Sequence, residues 1–252
     1  MLRTRVIPCL LLRNGGLVKT VQFDNPKYVG DPINAVRIFN EKEVDEIAIL
    51  DITATPSNKE PNFELIADLA SQAFMPLSYG GGINSTEQIE KLFSIGIEKI
   101  ILNSVLEHKP ELITSAANIA GSSSVVASID VKSNWLGKYS VYTNSGKKDI
   151  KVDPISYAKR LENLGAGEII INSIDRDGTQ KGYDTKLVGA ISDAVSIPVV
   201  AIGGAGKLSD FKEAVDVGAS AVAAGSFFVF HGKHRAVLIT YPEYSTLEEL
   251  FN

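Results

Sequence analysis

The 252-residue sequence has a single cysteine, Cys9, which excludes an internal disulfide. Nothing around it has metal-ligand spacing, so neither a metal nor a cofactor is expected, and the usage suits a reducing compartment such as the cytoplasm. Runs of like charge are also missing. Lys and Arg number 25 against 30 Asp and Glu, a net charge of −5 that argues against nucleic acid or an anionic membrane as the main partner. No apolar stretch nears the roughly 20 residues of a membrane span. Arg3 and Arg5 ahead of Val6 to Leu12 imitate the start of a secretory signal, but that run contains Pro8 and lacks a small-residue cleavage site. What is present is 44% hydrophobic residues, which rules out disordered and collagen-like classes and suffices for a large core.

Those hydrophobic residues are grouped. Short apolar, β-branched runs recur at Arg5 to Leu12, Glu46 to Asp51, Met75 to Tyr79, Lys99 to Leu102, Val125 to Asp130, Glu168 to Asn172, Pro198 to Ile202 and Ala221 to Ala224. Each is followed by Gly, Asn, Asp or Ser and then by an amphipathic stretch of helical length, such as Ser85 to Ile95, Pro154 to Leu164 or Ser209 to Val217. Eight strand-then-helix units predict a (β/α)8 TIM barrel, with a doubly wound sheet as the other candidate.

The chain also repeats itself. At one constant offset Glu46 and Ile47 match Glu168 and Ile169, Pro76 matches Pro198, Ile95-Gly96 falls on Val217-Gly218, Gly81-Gly82 on Gly203-Gly204, and Ser104 on Ser226. These matches sit at strand ends and turns, so the expectation is one barrel over 1–252 built from two (β/α)4 halves, about 1–122 and 123–245.

Barrel chemistry belongs at the C-terminal ends of the strands. Two glycine-rich clusters lie there: Gly80-Gly81-Gly82-Ile83 with Asn103-Ser104, and Gly203-Gly204-Ala205-Gly206 with Ala224-Gly225-Ser226. Glycine lets backbone amides approach an anion, and helix starts favour negative charge, so two phosphates of a phosphorylated small molecule are expected at opposite sides of one mouth. Asp130 closes the apolar strand Val125-Val126-Ala127-Ser128-Ile129, where a charge is costly unless it reacts, binds or pairs, for instance with Lys19 or Lys132. Asp51 has the same logic in weaker form. Asp175 to Thr179 reads as a loop contacting substrate, Asp177 included. At a slightly smaller offset the first strand matches the fifth, which brings Leu11 opposite Asp130. General acid–base chemistry across a substrate commonly uses two proton-handling groups, and here one of the two positions is apolar. His108, His231 and His234 do not repair this, since each falls where a solvated or capping role is expected.

The segments Arg5 to Leu10 (RVIPCL), Gly16 to Thr20 (GLVKT), Asp51 to Ala54 (DITA), Gly80 to Ile83 (GGGI), Ile129-Asp130, Ser173 to Thr179 (SIDRDGT), Gly182 to Asp184 (GYD) and Gly203 to Lys207 (GGAGK) together resemble the HisF family, cyclase subunits of imidazole glycerol phosphate synthase. The resemblance runs end to end. It implies a lyase-type synthase subunit that takes ammonia from a HisH-like glutaminase docked on the N-terminal face of the barrel and uses it at the C-terminal face. Asp130, Lys19, Asp51 and Asn103 match the family's active-site pattern, Gly81, Gly82, Ser104, Gly203, Gly204, Gly225 and Ser226 its phosphate sites, and Arg5, Glu46, Lys99 and Glu168 its ammonia gate. Two positions depart: Leu11 stands where the family carries its second catalytic aspartate, and Asn172 replaces a usual threonine. The stretch Ile7 to Lys19 is similar to HisF-like paralogues of surface-polysaccharide clusters. Those are implicated in acetamidino-sugar formation, with an ATP-dependent sugar amidotransferase as third component. The competing reading is the cyclase of histidine biosynthesis. The related phosphoribosyl isomerase shares the two phosphate sites but needs no glutaminase, so the gate residues count against it.

Overall fold

The computed structural model describes residues 4–232 and 234–252, so Arg3 lies outside the described residues. Eight parallel strands, Arg5–Arg13, Ile47–Asp51, Leu77–Gly80, Lys99–Leu102, Val125–Ser133, Glu168–Ser173, Val199–Ile202 and Ala221–Ala224, each pair with the next. The eighth returns to the first through Arg5↔Ala221 to Pro8↔Ala224. Closure leaves these strands no edge, which decides for the barrel against the doubly wound sheet. Among the described residues no helix is long and apolar enough to cross a membrane.

Alternation along each strand sorts the side chains. Outward residues such as Val6, Leu10, Ile47, Ile49, Tyr79 and Ile100 meet the surrounding helices in the main core. Inward residues Ile7, Cys9, Ala48, Ile101, Val126, Ile170, Val200, Ile202, Ala221 and Ala223 fill the barrel itself, with Leu11 and Leu50 packed on top of them. The helices begin where the sequence offers caps: Asp31, Ser85, Asp153 and Asp184 each accept from the amide three residues on. Two strands start later than their apolar runs. Pro76 and Pro198 have no N–H to add to a ladder, and their carbonyls accept from Ile47 and Ile169 instead.

The larger departure from the sequence reading is at the mouth. The first strand runs on into a meander, Gly16–Val21 and Asp24–Gly30, and the fifth into an antiparallel partner, Tyr139–Thr143. Asp24–Gly30 is largely exposed and so has no apolar face for periodicity to reveal. The turn of this meander is tied to the loop after the sixth strand: Gln22 N donates to Asp177 O at 2.9 Å, Thr20 Oγ1 to Asp177 Oδ2 at 3.1 Å, and Gln22 Nε2 to Asp175 O at 2.9 Å. Gly178 makes the approach possible. Its φ is +68°, and a Cβ there would stand 2.1 Å from Thr20 O. Gly178→Ala is expected to cost about 2 kcal/mol or more, from left-handed strain plus displaced backbone. Urea denaturation of the two proteins measures it, and equal midpoints would refute the packing argument.

Candidate functional site

At the N-terminal end of the barrel, four inward side chains form a ring of alternating charge. Glu46 Oε2 accepts from Arg5 Nη1 at 2.5 Å and Lys99 Nζ at 3.0 Å, while Glu168 Oε2 accepts from Arg5 Nη2 at 2.9 Å and Lys99 Nζ at 3.0 Å. Each charge thus touches both opposite charges, and the second oxygen of Glu46 takes Ser78 Oγ at 2.5 Å. Burial alone would lower the Arg5 pKa, but Glu168 and Glu46 outweigh it and hold the guanidinium above its ordinary value. Both glutamates are nearly buried, and each has two cations against it, which offsets the cost of removing its charge from water. The sequence reading brought these four residues together and missed Ser78, whose polar side chain at an inward strand position was the available signal.

Above the ring lies a small internal cavity of about 10 Å³, walled by Glu46, Ser78 and Glu168 below and by apolar side chains elsewhere. It has room for about one water-sized molecule. Cys9, Leu50, Ile101, Ile170 and Ile202 border both this cavity and the wide one at the C-terminal mouth, so one apolar layer separates the two. Within that layer the Cys9 thiol is pushed up to about 11 by burial and is neutral.

The mouth is a cavity of about 460 Å³. Both glycine clusters line it, Gly80, Gly81, Gly82, Asn103 and Ser104 from one side and Gly203, Gly204, Gly225 and Ser226 from the other. Packing already requires several of these glycines. A Cβ on Gly81 would lie 2.4 Å from Asp51 O, one on Gly82 2.6 Å from Lys59 O, and one on Gly204 2.3 Å from Gly182 O. Short helices start at Ser104 and Ser226, in each case just after a barrel strand. Ser104 Oγ is engaged locally, donating to Asn103 Oδ1 and accepting from Asn144 N.

Asp130 lies in this mouth, buried, with both oxygens held by amides: Asn103 Nδ2 at 3.0 Å and Asn172 Nδ2 at 3.3 Å. It pairs with neither lysine the sequence offered. Lys19 Nζ donates to Cys9 O at 2.6 Å, and Lys132 is exposed. Burial pushes the Asp130 carboxyl up to about 7; Asn103 and Asn172 oppose the rise and Asp177 adds to it. The Lys19 amine is lowered by burial, which the Cys9 thiol and Asp177 offset only in part. It reaches its place because position 225 is glycine: a Cβ there would come 2.6 Å from Lys19 Nζ. Asp177, also raised by burial, is used by Thr20 and Phe23 N in the meander as well as lining the mouth. Asp51 Oδ1 takes Thr53 N, Thr53 Oγ1 and Ala54 N, which closes the loop after the second strand. Asp175 is a tie to Ser133. Leu11 lines the mouth from the first strand, half the barrel's circumference from the fifth strand that carries Asp130. His108, His231 and His234 are exposed, as expected of them. Thr20 and the locking of Asn103 escaped the sequence reading, because the first depends on which loops meet and the second on how the fourth and fifth strands lie side by side.

Residues 5–235 match the family model described as "Histidine biosynthesis protein". The chain is 55% identical over 98% of its length, and 99% of the relative's, to a protein of Pseudomonas aeruginosa named as a candidate imidazole glycerol phosphate synthase subunit hisF2. A similarly named HisF candidate of Leptospira interrogans is 47% identical over the whole of both chains. The imidazole glycerol phosphate synthase subunit HisF of Streptomyces griseus is 40% identical over 91% of each. With the match spanning the barrel from the charged ring to the mouth, the chain belongs to the histidine biosynthesis protein family as a homologue of the imidazole glycerol phosphate synthase subunit HisF.

Proposed function

We propose that this barrel is a synthase subunit that passes ammonia along its axis from a glutaminase partner to the C-terminal mouth. The observation that carries this reading is the axial column: a neutral ring of four charges, a cavity for one small molecule, one dry apolar layer, and then the mouth. Ammonia suits such a path because it is uncharged there and water-sized, whereas ammonium would be costly in the apolar layer. A HisH-like glutaminase docked over the strand N-termini would deliver beneath the ring, and movement of one corner of the ring would admit each molecule. The two (β/α)4 halves each contribute one glycine cluster, which together hold the two ends of a phosphorylated substrate.

The finer reading is that the ammonia serves amidination of a nucleotide-linked acetamido sugar in lipopolysaccharide or other surface-polysaccharide biosynthesis in the cytoplasm, with an ATP-dependent sugar amidotransferase as third partner. Leu11 supports it. Imidazole formation needs proton transfer on both sides of the substrate, and this mouth has Asp130 on one side and an isobutyl group on the other. Lys19, held under the Cys9 carbonyl, places its amine beside the second glycine cluster, and Asp51 shapes the first. Ordinary cyclase activity in histidine biosynthesis is the alternative, and the motif set outside Leu11 favours it.

Three outcomes follow. Mixed with a HisH-like glutaminase, the protein is expected to form a complex and to stimulate glutamine hydrolysis; co-elution and a glutamate assay measure this, and neither complex nor stimulation would sink the conduit. Supplied with ammonia and the histidine-pathway ribulose nucleotide, the protein alone is expected to make imidazole glycerol phosphate about 10² to 10⁴ times more slowly than a HisF carrying both aspartates. Rapid turnover, or rescue of a cyclase-deficient histidine auxotroph, would restore the alternative. Finally, since burial raises Asp130 from 3.8 to about 7, the folded chain holds this proton more tightly than the unfolded chain. The associated stability is complete below about pH 4 and is lost as pH rises through about 7. Asp130→Asn should therefore raise the melting temperature more at about pH 8 than at about pH 5, and a pH-independent change would contradict this.

A further inference from the structure

The two amides that grip Asp130 are not equivalent. Asn103 is fixed in one orientation: its Nδ2 donates to Ser128 O at 3.1 Å as well as to Asp130 Oδ2, and its Oδ1 accepts from Ser104 Oγ at 3.1 Å. Turning it over would break all three bonds. Asn172 makes a single bond, the 3.3 Å contact from Nδ2 to Asp130 Oδ1, and its own Oδ1 is buried without a donor in the protein. A buried acceptor left unpaired is costly and uncommon, and it asks for a partner.

The geometry around that oxygen is suited to a second orientation. Asn172 Oδ1 and the Ser173 carbonyl oxygen flank the same point, lying 2.7 and 3.0 Å from where a Cβ on Gly203 would be. With the amide turned over, Nδ2 would stand on the side of Gly203 that also carries the Ser173 carbonyl oxygen, and Oδ1 would face Asp130. That arrangement fails with ionised Asp130, which has no proton to give, and succeeds with protonated Asp130. Asn103 decides where the proton must be. Its locked N–H points at Oδ2, so a proton on the carboxyl belongs on Oδ1, the oxygen that faces Asn172.

We propose that Asn172 is a positioning residue whose side-chain amide turns over as Asp130 gains or loses its proton, so that this buried acid is hydrogen-bonded in both forms. The inference rests on the reading of Asp130 as the proton-handling group at the end of the ammonia path. Strand alternation places Asn172 directly above Ile170 of the dry layer, at the exit of that path. It also answers what Leu11 leaves open, since Asp130 faces no carboxyl at the Leu11 position and must itself serve as both donor and acceptor. The charged groups facing the same cavity are Asp177 from the loop after the sixth strand, Lys19 and Asp24 from the meander, Arg13 from the first strand, Asp51 from the second, and Lys147 beside the fifth strand's hairpin. Of these, Asp177 adds to the raised titration of Asp130.

The test is nuclear magnetic resonance of the whole, isotope-labelled protein between about pH 5 and 9, following the Asp130 carboxyl carbon and the side-chain amides of Asn103 and Asn172. The Asn172 signals are expected to move with the midpoint of Asp130, while those of Asn103 keep their hydrogen-bond pattern. Asn103→Ala removes a donor whose bond to the ionised carboxylate is stronger than its bond to the protonated carboxyl, and should raise the Asp130 midpoint by about one unit or more. Asn172→Ala removes a partner of both forms and should move it by less than about half as much. Asn172 signals that ignore the Asp130 transition, or equal rises in the two variants, would overturn the proposal. If Asn172→Ala does not fold, the unmodified protein's amide signals decide alone. Glutaminase docking and ammonia transfer play no part in this titration, so it can fail while the conduit stands, and the conduit can fail while it holds.

Discussion

Closing eight short strands into a cylinder leaves a narrow axis into which every second residue of every strand must point. No inward side chain can be exchanged without its counterparts on the other strands responding, because interiors are filled to crystal-like density. This constraint explains the order of chemistry along the axis. Charges at the N-terminal end survive because four of them meet and cancel. Ala48, Ile101, Ile170, Val200 and Ile202 make the middle dry. Polar groups return only where strands end and loops can supply partners, as Asn103 and Asn172 do for Asp130.

Burial then sets the proton chemistry of the mouth. Asp130 and Asp177 are raised and Lys19 is lowered, each chiefly by desolvation, so the cavity holds groups whose charge is easily changed. Glycine at 225 admits the lysine amine and glycine at 203 admits the Asn172 carbonyl, so two residues of the glycine-rich clusters are explained by side chains packed against them as much as by any anion they receive.

The barrel was legible from the sequence because its signals are local. Eight apolar runs with stop residues, a helix cap at Ser85, and glycines at fixed places after strands need only neighbours along the chain. The charged ring was legible through family resemblance alone, since Arg5, Glu46, Lys99 and Glu168 lie far apart in sequence and each, taken singly, looks like an ordinary strand-end charge. The meander carrying Lys19 was not legible, because its second strand is exposed and has no apolar period. The partners of Asp130 were not legible either. Lys19 and Lys132 were the natural charged candidates, yet carboxamides hold the acid, and which amide reaches it depends on strand register, Asn172 lying beside Asp130 on the neighbouring strand.

The ring at the base has a property that a simple pair of ion pairs would lack. Its four contacts form a closed circuit in which every member has two neighbours, so breaking any one contact leaves no charge alone. The circuit is fault-tolerant: it can open at one point as a small fluctuation, in any of four ways, and heal without an intermediate that strands a bare ion. A single isolated pair in the same place would have to separate completely, leaving both of its ions bare.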